Sequence, residues 1–218
     1  MKTNEEVWSI VNELKALYPD SLCSLEYEKD YELLFSVRLA AQCTDERVNK
    51  VTPALFARFS TLESLAEADV AEVEQYIHST GFFRAKARDI VLASQMLLRD
   101  YGGKVPGTME ELLKLPGVGR KTANLMLGDV FHVPGVVVAD THCIRITGLL
   151  GLTDGSKDPA KVEMQLRQVL PPEESNDFCH RMVLHGRAVC IARRPQCESC
   201  TLRPWCDHFA KNSQPPSE

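Results

Sequence analysis

Four cysteines fall close together near the C-terminus, spaced Cys190-x6-Cys197-x2-Cys200-x5-Cys206. Thiolates are soft ligands, and four at this density suit zinc or an iron–sulfur cluster. Structural zinc more often takes two C-x-x-C pairs on separate knuckles. Here a single C-x-x-C has wider gaps on either side, so one loop must wrap the metal, and residue chemistry leaves both guests open. Four unrelated thiols is the weaker alternative. The loop between the first two cysteines carries Arg193 and Arg194. Held at both ends, this basic segment is suited to contact phosphate.

A second constellation is LPGVGRKTANLML, Leu115 to Leu127. Pro116 fixes φ, while Gly117 and Gly119 permit φ > 0, so a tight turn is forced. Thr108 to Glu111 reads as a capping box opening a helix from Met109 to Lys114. Arg120 to Phe131 reads as the next helix. The unit is helix, glycine hairpin, helix. Gly117, Val118, Gly119 and Arg120 then present backbone amides at a helix N-terminus, which favours an anion such as phosphate. GVGRKT is not the tail of a nucleotide-binding P-loop. That motif needs Gly directly before Lys and a second Gly five residues earlier, after a strand; here Arg120 intervenes and the pattern upstream is helical. The bland alternative is a turn between two core helices.

Nearly every segment that must position these residues has helical pattern. Thr3-x-x-Glu6 is a capping box before Val7, Ile10, Val11, Leu14 and Leu17, with Pro19 and Asp20 as terminators. Tyr31 to Ala41 is largely apolar. Thr44 can cap the following helix, with Val48, Val51, Leu55, Phe56 and Phe59 on one face and Pro53 expected to kink or split it. Asp69 caps Val70 to Ser79, and Gly81 stops it. Phe83 to Tyr101 forms a long helix closed by Gly102 and Gly103. Asp140 can cap Thr141 to Leu149, and Asp158 with Pro159 starts a helix reaching Val169. After Pro171-Pro172, Asn176 to Ile191 is expected to be the last helix. Val136 to Val138 is the only β-like run, too short to found a sheet. Residues 212–218 read as a polar, disordered tail. The fold class is all-α.

The chain has 218 residues, 44% hydrophobic, enough for one sizeable domain or two small ones. No apolar run approaches the ~20 residues of a membrane span, and the polar first residues lack a signal-peptide core. A soluble cytoplasmic protein is expected, so its eight cysteines are not expected to pair as disulfides. Cys23, Cys43, Cys143 and Cys179 read as small core residues. A net charge of −5 argues against nucleic-acid binding if taken globally. The charge is segregated, however. Thr61 to Thr80 is acidic without a basic residue, while Cys179 to Arg203 carries five arginines against Glu198. A basic face can coexist with an acidic back.

LPGVGRKTAN resembles the helix-hairpin-helix of DNA glycosylases, and with VADTH downstream the chain closely resembles the endonuclease III family of bifunctional DNA glycosylase/AP lyases. AAQCTDERVNK (Ala40 to Lys50), YIHSTGFFRAKA (Tyr76 to Ala87) and the cysteine tail fit the same pattern. The resemblance implies a helical-barrel domain over 23–133. It also implies a second domain from 1–22 with 134–218 that carries a [4Fe–4S] cluster on Cys190, Cys197, Cys200 and Cys206, and a cleft between the two. The implied substrate is double-stranded DNA bearing damaged pyrimidines or abasic sites, bound by a monomer.

The resemblance assigns the nucleophile to Lys121 and a partner carboxylate to Asp140. An amine attacking C1′ of deoxyribose displaces the base and leaves an imine, and the imine acidifies the C2′ proton for β-elimination of the 3′ phosphate. A free lysine is almost wholly protonated near neutrality. A nearby carboxylate would hold that proton more firmly. Desolvation, the helix N-terminus and Arg120 act in the opposite sense. Asp140 is therefore assigned to proton transfer or to stabilising charge on the opening sugar. Extruding a nucleotide requires the gap to be filled, and the resemblance places Gln42 and Phe82 there. Phe82 stands where the family carries an aliphatic residue; it could stack in the gap or pack in the core beside Phe83. His142, close to Asp140, reads as structural. Two competing functions are a monofunctional glycosylase, which usually lacks the lysine, and a non-catalytic DNA-binding module, which would need neither Lys121 nor Asp140.

Overall fold

The computed structural model describes residues 2–20 and 23–212. Among them the regular structure is helical, with no strand: α1 (Asn4–Leu17), α2 (Asp30–Ala40), α3 (Asp45–Arg58), α4 (Leu62–Ala66), α5 (Val70–Ile77), α6 (Phe83–Tyr101), α7 (Met109–Leu112), α8 (Arg120–Asp129), α9 (Thr141–Leu150), α10 (Pro159–Val169), α11 (Ser175–Ala188) and α12 (Asp207–Asn212). Short 3-10 turns follow α5 and precede α11. The caps decide where these helices begin. Thr3, Thr44, Asp69, Thr108, Asp140 and Asp158 each accept a first-turn amide through the side chain. Such a cap satisfies one of the donors that a helix start leaves without an internal acceptor. No described helix is long and apolar enough to cross a membrane.

The chain divides into two compact units, Met1–Leu22 with His132–Glu218, and Cys23–Phe131. In the first, α1 packs on α11, α11 on α9, and α9 on α12. Val7, Ile10, Val11, Leu14, Ile146, Phe178 and Met182 are buried there. Arg181, almost fully buried, donates to the Tyr18 carbonyl, to Glu174 at 3.1 Å and to Asp177 at 3.3 Å. In the second unit α4 and α5 pack on α6, α3 on α2 and α5, and α7 and α2 on α8. Leu33, Leu34, Leu39, Leu55, Leu65, Ile77, Ile90 and Leu97 fill its interior.

Several expectations need correction. Pro53 neither splits nor ends α3, which runs through it. Pro53 is exposed while Val48, Thr52 and Leu55 are buried, so the helix loses one bond on its wet side and keeps its packed face. α7 stops at Leu112, two residues short of Lys114, and α8 stops at Asp129. α11 ends at Ala188 and is not the last helix, since α12 follows and includes Asn212. The rest of the expected disordered tail, 213–218, lies outside the described residues. α4 offers only a single turn of signal, the Thr61 cap with Leu62, Leu65 and Ala66, and these three bury where α4 packs on α6. Leu17 is exposed. Val136 to Val138 is buried outside any helix and founds no sheet, as its length led one to expect.

Candidate functional site

The glycine hairpin joins α7 to α8. Leu115, buried, anchors it, and the Val118 amide closes the turn on the Leu115 carbonyl at 3.1 Å. Gly117 takes φ +74°, and a Cβ there would lie 2.6 Å from Arg38 Nε and 2.7 Å from Asp89 Oδ2. The turn therefore sits directly on an ion pair, Arg38 with Asp89 at 2.7 Å, that links α2 to α6. Gly119 behaves differently from expectation. Its φ is −103°, an ordinary value, and a Cβ would meet nothing within 4 Å. It serves by leaving open space in front of the α8 N-terminus, where no side chain caps the helix. First-turn amides have no acceptor within a helix, and the end carries partial positive charge. Arg120 and Lys121 follow, both exposed. Lys121 is thus not shielded from water by the chain itself.

Gln42 and Phe82 are two of three non-glycine residues with positive φ among those described, at 56° and 48°. Gln42 stands at the third position of a turn after α2, where Cys43 N donates to Ala40 O at 3.0 Å. Glycine is the residue that this position favours. Phe82 is the N-cap of α6 in left-handed conformation, following Gly81 at φ 69°. It is 68% exposed, so it is not a core residue. An exposed aromatic on strained backbone requires a reason outside the local sequence.

Asp140 is the N-cap of α9, its Oδ1 accepting from the Cys143 amide at 2.7 Å. His142 packs against Gly186 of α11, where a Cβ would collide with its ring. Cys143 and Cys179 are buried and Cys23 and Cys43 are half-buried. Burial first, helped by the charge of Asp129 and Asp45, pushes the Cys23 thiol up to about 12.

Cys190, Cys197, Cys200 and Cys206 line one cavity of about 230 Å³. Among the described residues no three His, Cys, Asp or Glu side chains meet as ligands of a single ion. Burial, then the charge of the neighbouring thiolates, raises Cys197 and Cys200 above the usual thiol range. Two supporting side chains escaped sequence reasoning. Arg145 of α9 donates to Cys190 Sγ at 3.4 Å and to its carbonyl at 2.7 Å. His185 of α11 lies 3.5 Å from Cys200 Sγ through Nε2 and 3.3 Å from the Tyr18 hydroxyl through Nδ1. Burial, then the Arg145 charge, lowers the His185 pKa, which favours a neutral ring with one N–H. Burial keeps Tyr18 protonated. The tyrosine O–H then donates to Nδ1, and Nε2–H is left to donate to sulfur. Arg193 and Arg194 are exposed on the loop between the first two cysteines and do not line the cavity.

A family model described as HhH-GPD superfamily base excision DNA repair protein matches residues 35–172. The chain is 48% identical over 193 residues to the endonuclease III of Synechocystis sp., with 88% of each chain covered. It is 38% identical over 202 residues to the endonuclease III of Escherichia coli K12, covering 93% of this chain and 95% of the relative. Among solved structures, an endonuclease III trapped as a covalent intermediate with DNA matches at TM-score 0.90 and 40% identity, over 98% of this chain and 100% of that one.

Proposed function

Because the chain belongs to the HhH-GPD superfamily of base excision DNA repair proteins, and within it to the endonuclease III family, we propose that it removes oxidised pyrimidines from duplex DNA inside the cell and cleaves the abasic site that results. The observation that carries this reading is the glycine hairpin with Lys121 directly behind it, on a helix N-terminus that no side chain caps. With the Val118 amide closing the turn, the Gly117, Gly119 and Arg120 amides would take a backbone phosphate of the damaged strand. Arg193 and Arg194 would take others. Gln42 and Phe82, already exposed on strained turns, would fill the space left by the extruded nucleotide.

Lys121 Nζ is the nucleophile in this scheme. Its attack on C1′ forms the C–N bond as the glycosidic C–N bond breaks and the base leaves with the electron pair. The nitrogen lone pair then expels O4′ as the C1′–O4′ bond breaks, the proton lost from nitrogen passing to O4′, to give the open-chain imine. Removal of the C2′ proton expels the 3′ phosphate, and water releases the enzyme. Bound DNA must supply the desolvation of Lys121, since the free chain leaves that amine in water. Asp140 is assigned to moving the proton or to stabilising charge on the opening sugar, in addition to capping α9. A monofunctional glycosylase would need no such amine.

The four thiols lining a cavity large enough for a polynuclear guest support a [4Fe–4S] cluster over a single zinc. When bound, the cluster supplies four iron–thiolate bonds that pin the loop carrying Arg193 and Arg194. Arg145 and His185 offset part of the negative charge on the sulfurs.

The experiment is borohydride reduction in the presence of a duplex carrying thymine glycol or an abasic site. Wild type is expected to be trapped on both. Lys121→Gln is expected to bind but lose trapping and strand cleavage. Trapping by Lys121→Gln would move the chemistry to another amine, and base release by wild type without any adduct would favour the monofunctional reading.

A further inference from the structure

Lys86, on the first turns of α6, is fully buried at 0% exposure. A buried lysine is uncommon and has to be held by partners. Its Nζ donates to the Leu39 carbonyl and to the Thr80 carbonyl, each at 2.8 Å. Leu39 lies in the last turn of α2, and Thr80 ends the 3-10 turn after α5. Terminal carbonyls of a helix have no amide of their own, and a cation is favoured at that end. Burial draws the ammonium below its ordinary pKa, and the charge of Cys43 pushes the other way. Leu39 is three residues before Gln42, and Thr80 is two before Phe82. One side chain thus joins the two turns whose exposed tips sit at positive φ. The Arg38–Asp89 pair beneath Gly117 uses the neighbouring residue of α2 and the next turn of α6.

We propose that Lys86 is a positioning residue for nucleotide extrusion. By clamping the Leu39 and Thr80 carbonyls it fixes the spacing of the Gln42 and Phe82 turns, so that both side chains enter the duplex together. The proposal rests on the reading of Gln42 and Phe82 as the residues that fill the gap. Lys86 is not a second nucleophile, since its amine is enclosed and engaged with two carbonyls.

The test uses the intact holoprotein and a duplex containing thymine glycol opposite 2-aminopurine. Lys86→Met keeps the length and removes the donor. It is expected to slow single-turnover base release at saturating DNA by about 10–100-fold, the scale for misplacing a contact by roughly 1 Å. Affinity for undamaged duplex should hold, and the 2-aminopurine signal on binding should be lost. Gln42→Ala and Phe82→Ala, singly and combined, are measured beside it. Adding Lys86→Met to the combined variant should cost little more, because groups acting through one another are non-additive. Full additivity, or an unchanged fluorescence signal in Lys86→Met, overturns the proposal. If Gln42→Ala and Phe82→Ala leave base release unchanged, the gap-filling reading itself falls, whatever Lys86→Met does. Should Lys86→Met fail to fold, Lys86→Gln retains an N–H donor and carries the same comparison with a smaller loss.

Discussion

Asp140 has two jobs in this scheme, and they can be separated by a pair of substitutions. As N-cap of α9 its Oδ1 takes the Cys143 amide at 2.7 Å. Replacing a capping side chain by alanine costs about 0.5–2 kcal/mol. The negative charge at the helix start contributes a further part, about 0.3–1 kcal/mol at such sites. Asparagine caps nearly as well as aspartate, so Asp140→Asn loses the charge and keeps the hydrogen bond. Asp140→Ala loses both. For a chain of this size about 1 kcal/mol moves Tm by roughly 2–4 °C. Asp140→Asn is then expected to melt within about 1–4 °C of wild type, and Asp140→Ala about 2–12 °C below it, on the same scale. Turnover should not follow that order. Both variants lose the carboxylate, and both are expected to fall by about 10²–10⁴-fold in single-turnover base release. The assay is a thermal melt beside quench-flow kinetics on one duplex. Near-wild-type turnover in Asp140→Asn would reduce Asp140 to a cap, and so would rates that track Tm across the three proteins.

Purified protein is expected to be yellow-brown and to contain four irons and four sulfides per chain on Cys190, Cys197, Cys200 and Cys206; stoichiometric zinc on metal analysis would overturn that assignment. Duplex binding should weaken steeply with salt despite the sequence pI of 5.7, because each phosphate contact contributes about −0.9 to the slope of log affinity against log salt. Arg193→Ala with Arg194→Ala should flatten that slope and weaken damaged and undamaged DNA alike, and unchanged affinity would remove the loop from the interface. The two hairpin glycines should fail differently. Gly117→Ala meets the Arg38–Asp89 pair at φ +74° and should destabilise by about 1–2 kcal/mol or more from backbone strain alone. Gly119→Ala, pointing into open space, should melt like wild type but bind DNA less well, and equal melting of the two variants would contradict the hairpin geometry.

The features readable in the sequence are those that a few neighbouring residues decide. Thr3, Thr44, Asp69, Thr108, Asp140 and Asp158 cap because an oxygen three or fewer bonds from the backbone can reach the next amides, whatever surrounds it. The hairpin is readable for the same reason, and so is the cysteine spacing. What was not readable depends on partners far along the chain. α4 is five residues long, below the length at which a helix holds by itself, and exists by packing on α6. The cost of Pro53 depends on which face of α3 is wet, and only the packed neighbours decide that. Arg145 and His185 show no pattern that sets them apart from surface residues until the cysteines are folded beside them. Lys86 did leave a trace: with Ile90, Ala93 and Leu97 it falls on the buried stripe of α6, a placement that a solvated lysine would avoid.

Gln42 and Phe82 show why tertiary support and function meet in one place. Left-handed backbone at a residue other than glycine costs on the order of 1–3 kcal/mol and persists only where surrounding structure holds it. Local support is slight: the Gln42 turn has one closing hydrogen bond, Cys43 N to Ala40 O at 3.0 Å, and Phe82 makes no side-chain cap. Relaxing either turn would move the Leu39 or Thr80 carbonyl away from the Lys86 ammonium, leaving a buried cation with an unmet donor. That loss exceeds the strain, because the penalty for stranding a buried charged group is larger than for a neutral one. The strained turns and the buried lysine therefore stabilise one another as a set. Gln42 and Phe82 are exposed without DNA, and in the proposed extrusion this coupling would leave little reorganisation for the moment the nucleotide leaves the stack.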